Sequence, residues 1–484
     1  MKKKKVNKIL AIAAASILCV TAVAVGIHFG YVKATDETKE YTVNTGENPL
    51  RVAVISDLQL PDSESKTTHQ YESFEKTLTM LKNKGMDVLI IAGDFTDLGT
   101  KQAYGSYKEI YDRVMGNGEK PISLYVMGNH DYWLADFVKS WEIPTPAKMQ
   151  KRFTEFTGEY PYSHKIINGY HFICWSSSNG SYDKSYSDKE WIRSELDKAV
   201  AADPTKPIFV ITHLNPSDTV YGSDNWGNAD IADVLKNYPQ VISLSGHSHY
   251  SLIDERSIWQ GDYTAFTTQS LDYIELESGK FNGSIPVDAY GNCIASRLPC
   301  CLYMEIESDK VTVNRLEANT GKELKEPWVI RAPFGKEESL SEYTDTRADS
   351  NKAPKLSKLL KATVSNITDV NGNAQKMLSF NAGKDDDFVH SYKLQFLDEK
   401  KNVIEFDETD YDGNIVSGDE NGSPKKISEV LYFSDFVLGL ENMSETAELR
   451  LPASIPDNAV YVAITAIDSW GAESNTVVRK LGSF

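Results

Sequence analysis

Positive charge is what this 484-residue chain is short of. Its 51 lysines and arginines stand against 69 aspartates and glutamates, a formal charge of −18. A deficit of that size argues against a nucleic-acid backbone as a standing partner. Cysteine is scarce too: there are five, and none falls in Cys-x-x-Cys spacing, which makes a zinc knuckle improbable. No Gly-x-x-x-x-Gly-Lys loop or Gly-x-Ser-x-Gly elbow occurs, so NTPase and serine-hydrolase readings lack support. There are no internal repeats. Apolar residues make up an ordinary 41% of the chain, so disorder is not the default, and the length is too great for one core.

What the chain does have is a set of apolar β-type runs that stop abruptly in ligand-type residues. Ile122–Met127 ends in Gly128-Asn129-His130-Asp131, where the glycine lets the backbone turn sharply. Arg51–Ser56 runs into Asp57-Leu58-Gln59, and Asp87–Ala92 into Gly93-Asp94-Phe95-Thr96-Asp97. Pro207–Thr212 delivers His213, and Gln240–Ser245 delivers Gly246-His247-Ser248-His249. Helical spacing at Phe74, Leu78 and Leu81, and at Tyr107, Ile110 and Val114, separates the first three runs. The alternation predicts a parallel sheet with right-handed crossovers, and such sheets place their chemistry beyond the carboxyl ends of their strands. Carboxylate, carboxamide and imidazole groups converging there suit a di-metal centre of Mn, Fe or Zn without selecting among them.

The ordered set Asp-x-Gln, Gly-Asp-x-x-Asp, Gly-Asn-His-Asp, a lone His and Gly-His-x-His resembles the calcineurin-like metallophosphoesterase family across roughly residues 50–315. The resemblance implies an α/β fold of the metallophosphoesterase type, a two-sheet β-sandwich flanked by helices. It implies two divalent ions bridged by Asp94, with Asp57, Gln59 and His249 on the first and Asn129, His213 and His247 on the second. It also implies hydrolysis of phosphomonoesters or phosphodiesters by a hydroxide bridging the ions. His130 is then the acid that protonates the leaving alkoxide, and Asp97 orients its ring. One residue departs from the pattern: Gln59 stands where the family usually has histidine, and an amide oxygen is the weaker ligand. A catalytically weak cell-surface binding protein that retains the fold is therefore the rival expectation. Asp131 is expected to hydrogen-bond backbone in its turn, while His69, His164, His171 and His390 have no motif context.

Lysines at positions 2–5 and 8 precede an apolar run from Ile9 to about Val32. Residues 1–32 are accordingly expected to be a single-pass membrane helix that leaves the catalytic domain outside the cell. The other reading is a cleaved signal with Ala22-Val23-Ala24 at its end and a secreted product. Residues 33–49 read as a tether, 50–331 as the phosphoesterase domain, and 332–354 as an acidic linker. Residues 134–165 read as an irregular rim, and the runs after His249 as antiparallel strands. From 355 to 484 the alternation at Tyr392, Leu394 and Phe396, and at Val460, Val462 and Ile464, predicts an all-β sandwich. It resembles a fibronectin type III or immunoglobulin-like domain, with Tyr461 as a candidate tyrosine corner. All the expected ligands precede Ser251, so the first domain is expected to fold and act without the second. The expected partner is a phosphate-ester substrate.

Overall fold

The computed structural model describes residues 38–484 except 44–48, 64–67, 134–144, 182–184, 276, 278–279, 282–297, 369–373, 410–414, 420–421, 453 and 482–484. The expected membrane helix at 1–32 lies outside the described residues. Among those residues no helix is long and apolar enough to cross a membrane.

Chain order through the first half is β1 (Lys39–Tyr41), β2 (Leu50–Ile55), α1 (His69–Lys84), β3 (Val88–Ala92), α2 (Lys101–Met115), β4 (Ile122–Val126), α3 (Pro146–Thr157), β5 (Tyr162–Ile167), β6 (Tyr170–Trp175) and α4 (Lys189–Ala202). Then come β7 (Ile208–Ile211), β8 (Val241–Ser245), β9 (Ile258–Gln260), β10 (Thr264–Thr267), β11 (Cys300–Ile306), β12 (Lys310–Glu317) and β13 (Trp328–Arg331). They form two sheets, ordered β13-β12-β11-β2-β3-β4 and β1-β5-β6-β7-β8-β10-β9.

The period-2 geometry of a strand explains why β2 and β3 are apolar on both faces, Arg51 at the start of β2 excepted. Val52, Val54, Ile90 and Ala92 point between the sheets, where they meet Phe172, Phe209 and Leu244. Ala53, Ile55, Leu89 and Ile91 point the other way, under Phe74, Leu78, Tyr107 and Phe153 of α1, α2 and α3. On the second sheet Ile173 and Val210 face outward to Ile192 and Leu196 of α4. The result is four layers, helix–sheet–sheet–helix, with β2, β3, β4, β7 and β8 ending at one edge.

Three expectations are corrected here. The tether carries an edge strand, since β1 pairs in parallel with β5, Lys39 opposite Lys165. The irregular rim contains α3 and β5, and α3 has ordinary helix punctuation: Thr145 caps it by accepting from Lys148 N, Pro146 opens it, and Gly158 closes it in the left-handed region. Finally, β10 runs parallel to β8, not antiparallel. The chain crosses over through β9, which pairs antiparallel with β10, and so returns in β8's direction. Cys174, Cys300 and Cys301 are buried free thiols, and Cys293 lies outside the described residues.

The longer strands that follow are β14 (Ala362–Thr368), β15 (Ala374–Asn381), β16 (Ser391–Leu397), β17 (Val430–Phe433), β18 (Thr446–Leu451), β19 (Tyr461–Ile467) and β20 (Val477–Lys480). One sheet is β14-β15-β18; the other is β17-β16-β19-β20, extended by Lys280–Phe281 alongside β17. Leu378, Phe380, Leu394, Phe396, Val462 and Ile464 fill the space between them. Tyr461 makes no tyrosine corner: its ring is covered by Lys401, and Tyr432 is the tyrosine whose hydroxyl donates to a backbone carbonyl, that of Arg450. The segment expected as linker is ordered against the first module, with Gln260 Oε1 accepting from the amides of Glu342 and Tyr343.

Candidate metal centre

Asp57, Gln59, Asp94, Asn129, His213, His247 and His249 come together just past the ends of β2, β3, β4, β7 and β8, and His130 and Asp97 lie beside them. Backbone bonds lock the loops to one another: Asp57 N donates to Gly93 O, Gln59 N to Asp94 O, and Gly246 N to His213 O. Close approach also dictates composition. A Cβ on Gly128 would overlap the Asp94 carboxylate, and one on Gly246 would overlap Ser56 Oγ. Five of the proposed ligands, Asp57, Gln59, Asp94, His247 and His249, hold positive φ between 42° and 68°. Non-glycine residues adopt that region at a cost of about 1–3 kcal/mol each, and such strain clusters at functional sites.

The hydrogen bonds set the tautomers. His213 Nδ1 lies 2.8 Å from Ala92 O, which can only accept, so Nδ1 donates and Nε2 faces inward. There Nε2 meets Asp94 Oδ2 at 3.1 Å and Asn129 Oδ1 at 3.0 Å. Likewise His249 Nδ1 donates to Tyr273 O at 3.1 Å, which turns its Nε2 to Asp57 Oδ1 at 3.0 Å. Asp57 Oδ1 and Asp94 Oδ2 are buried, and the ring nitrogens of His249 and His213 are what faces them. Lone pairs therefore converge with nothing but a ring proton or a cation to reconcile them. Asp94, His213 and His247 each offer a ligand atom within 4.8 Å of the others. The donor set fits divalent metal, and the outward bonds to Ala92 O and Tyr273 O are the orienting contacts that metal-binding histidines use.

Electrostatics divide the histidines. Burial works against protonating His213, but the Asp94 carboxylate outweighs it and lifts the pKa to about 9. Burial raises Asp94, yet His213 and His130 reverse this and hold it below the usual carboxylate range. His247 stays neutral, since burial and then the neighbouring His213 both press its pKa down. Gln59 is buried beside His249, its Nε2 3.4 Å from the ring Nε2. Turning its oxygen to a metal takes a half-turn of the carboxamide.

His130 is oriented by Asp97 chiefly through backbone: Nδ1 lies 3.0 Å from Asp97 O and 3.4 Å from its carboxylate. The backbone amide of His130 donates to Asp94 Oδ1 at 2.9 Å. Burial lowers the His130 pKa, but Asp94 and Asp97 overcome it and raise it to about 9. Asp131 braces the turn, accepting from the amides of Phe95, Thr96 and Gly128. The strand-end pattern does not reveal Trp133, whose half-exposed ring stacks on His130 at 3.9 Å. Nor does it reveal Tyr273, whose ring lies 4.3 Å from His249. Both sit outside the motifs, and an aromatic residue in a loop carries no spacing signal.

Residues 50–251 match the model of the family described as "Calcineurin-like phosphoesterase". The chain is 29% identical over 176 residues to a protein of Rhodococcus erythropolis named "Probable cyclic nucleotide phosphodiesterase", over 34% of this chain and 52% of that protein. It thus spans about half the length of that curated relative. Solved structures similar to it include a conserved uncharacterised protein, a predicted phosphoesterase, of Streptococcus pneumoniae TIGR4, at 12% identity and a TM-score of 0.24, covering 58% of this chain and 97% of that one. A cold-active protein-tyrosine phosphatase of a Shewanella species matches at 11% identity and a TM-score of 0.26, covering 62% and 86%. The family match spans residues 50–251, and Asp57, Gln59, Asp94, Asn129, His213, His247 and His249 all fall within it.

Proposed function

We propose that this protein hydrolyses phosphate esters, mono- or diesters, at a two-ion centre held by Asp57, Gln59, Asp94, Asn129, His213, His247 and His249. The observation that carries the reading is the convergence of ligand atoms around Asp94 Oδ2, buried and faced by the His213 ring nitrogen at 3.1 Å. Divalent ions bound there would act as Lewis acids toward a phosphoryl group and lower the pKa of an attacking water. The chain's own part is then positional. Asp94, touching the His213 and His130 sides of the site, is placed to join two cations. His130, kept protonated at neutral pH, donates its outward Nε2 proton to the departing alkoxide, and Asp97 fixes the ring that does so. Trp133 shields one face of that ring from water.

The relative's printed name supports the phosphodiester side of this reading. We place the catalytic module outside the cell, anchored or secreted, on the strength of the lysine-flanked apolar run at 9–32. The order β14-β15-β18 over β17-β16-β19-β20 supports a fibronectin type III-like class for the second module. A binding protein of weak or no activity is the second reading, favoured by Gln59 presenting its amide nitrogen to His249. Hydrolysis of bis(nitrophenyl) phosphate and nitrophenyl phosphate, before and after chelator treatment and Mn²⁺ addition, separates the two. Metal-dependent turnover that disappears in Asp94→Asn is the expected result; no turnover with any divalent ion supports the binding protein.

A further inference from the structure

A cavity of about 550 Å³ reaches the proposed metal centre only through Tyr250, next in sequence to His249, and draws its walls from three parts of the chain. The loop 218–225 and Tyr250, the residue after His249, form one side; Arg256, Trp259 and Glu277 form another; Asp345, Arg347 and Trp470 close it. That volume is ordinary for a small-molecule site. Its chemistry is one-sided. Four carboxylates, Asp218, Asp224, Glu277 and Asp345, line it against two guanidiniums. Neither guanidinium is available to hold an anion. Arg256 is clamped by buried Asp254 at 2.9 and 2.7 Å and reaches Glu277 at 3.6 Å, and Arg347 gives Nε, Nη1 and Nη2 to the carbonyls of Thr344, Glu255 and Ile258.

Both arginines instead show what the aromatic walls attract. Arg256 lies 4.0 Å from the centre of the Tyr221 ring, and Arg347 lies 5.1 Å from that of Trp470. Trp259 is fixed in place by its indole N–H, which donates to Asp345 Oδ2 at 3.2 Å. Ring faces with surplus carboxylates recognise organic cations, each ring contributing through its quadrupole. We propose that this cavity is a binding site for a small organic cation of the amine or quaternary-ammonium class, built jointly by the phosphoesterase module, the connecting segment and the carboxy-terminal module. It requires neither bound metal nor phosphate, so it stands or falls apart from the hydrolytic reading.

Calorimetric titration of the full chain with tetramethylammonium and with choline tests it, using choline's uncharged tert-butyl isostere as control. Saturable binding of both cations is expected, with the isostere bound on the order of tenfold more weakly. Glu277→Gln keeps shape, Trp259→Phe leaves a smaller ring without the N–H to Asp345, and each weakens cation binding severalfold, while metal content and nitrophenyl ester turnover stay at wild-type values. The proposal is overturned if neither cation saturates, if the isostere binds as tightly, or if both folded variants bind cations like wild type.

Discussion

Asp94 and His130 sit next to each other, the His130 amide donating to Asp94 Oδ1, yet the proposed function gives them different work, and substitution separates the two roles. In the proposed centre Asp94 would supply a buried charge between cations, so Asp94→Asn should lose metal, read by elemental analysis after dialysis, and activity with it. His130→Ala should keep its metal and lose about 10²–10⁴ in turnover. That loss should shrink for nitrophenolate leaving groups, which need little protonation; equal losses for good and poor leaving groups would remove His130 from the acid role. Gly128→Ala tests the packing that holds the carboxylate in place. The added methyl overlaps Asp94 Oδ1, so a folded variant with depleted metal is expected. The identities of all these residues were legible in the strand-end motifs. Their left-handed backbone at Asp57, Gln59, Asp94, His247 and His249 was not, because motif spacing says nothing of φ.

At the scale of elements, strands buried on both faces were easy to find, since Val52–Ile55 and Val88–Ala92 are apolar at every position. Direction was harder. The run Tyr263–Thr268 has strand character either way, and only the β9 hairpin decides that β10 is parallel to β8. Helix α3 was hidden by a polar, aromatic-rich neighbourhood, although Thr145, Pro146 and Gly158 were its available signals. Pairing of β5 with β6 also creates something no motif marks. His164, on β5, shares its Nε2 with His171 Nδ1 at 2.8 Å and its Nδ1 with Glu195 at 2.8 Å. Burial first, then repulsion from His164, lowers the His171 pKa from 6.5 to about 4. The unfolded chain therefore binds the extra proton more readily, and the stability tied to neutral His171 is complete above about pH 6.5 and is lost as pH falls toward 4. His130 and His213, raised to about 9, act in the opposite sense between 6.5 and 9 in metal-free protein, so the two windows do not overlap. The urea midpoint should fall between pH 6.5 and 5, and His171→Gln should flatten that fall; an unchanged slope in the variant would assign it elsewhere.

At the scale of the whole molecule, the two modules share a core. Ile253 and Ile274 of the first pack with Phe388, Phe433, Phe436 and Val437 of the second. Polar contacts surround that cluster: Tyr221 Oη lies 2.9 Å from His390 Nε2, and Lys325 pairs with Asp387 at 2.6 Å. Lys280–Phe281 joins the edge strand β17 directly. Each module's apolar pattern reads as self-sufficient, and that is why independence of the first was the natural expectation from sequence. A seam is invisible to periodicity, because the side chains that form it, Phe433 at the end of β17 excepted, lie in loops and short turns. With the seam in view, a chain ending near residue 331 should uncover Ile253 and Ile274, remove the partner of 280–281, and aggregate or melt well below the intact protein. In the intact chain, Phe436→Ala deletes a ring buried against both sides and should cost about 3–5 kcal/mol. Because that ring braces the first module too, thermal unfolding followed at the metal centre should shift down together with the global transition. A drop confined to the carboxy-terminal sheets, with the metal-centre transition unmoved, would show that the modules unfold separately and that the shared cluster does not couple them.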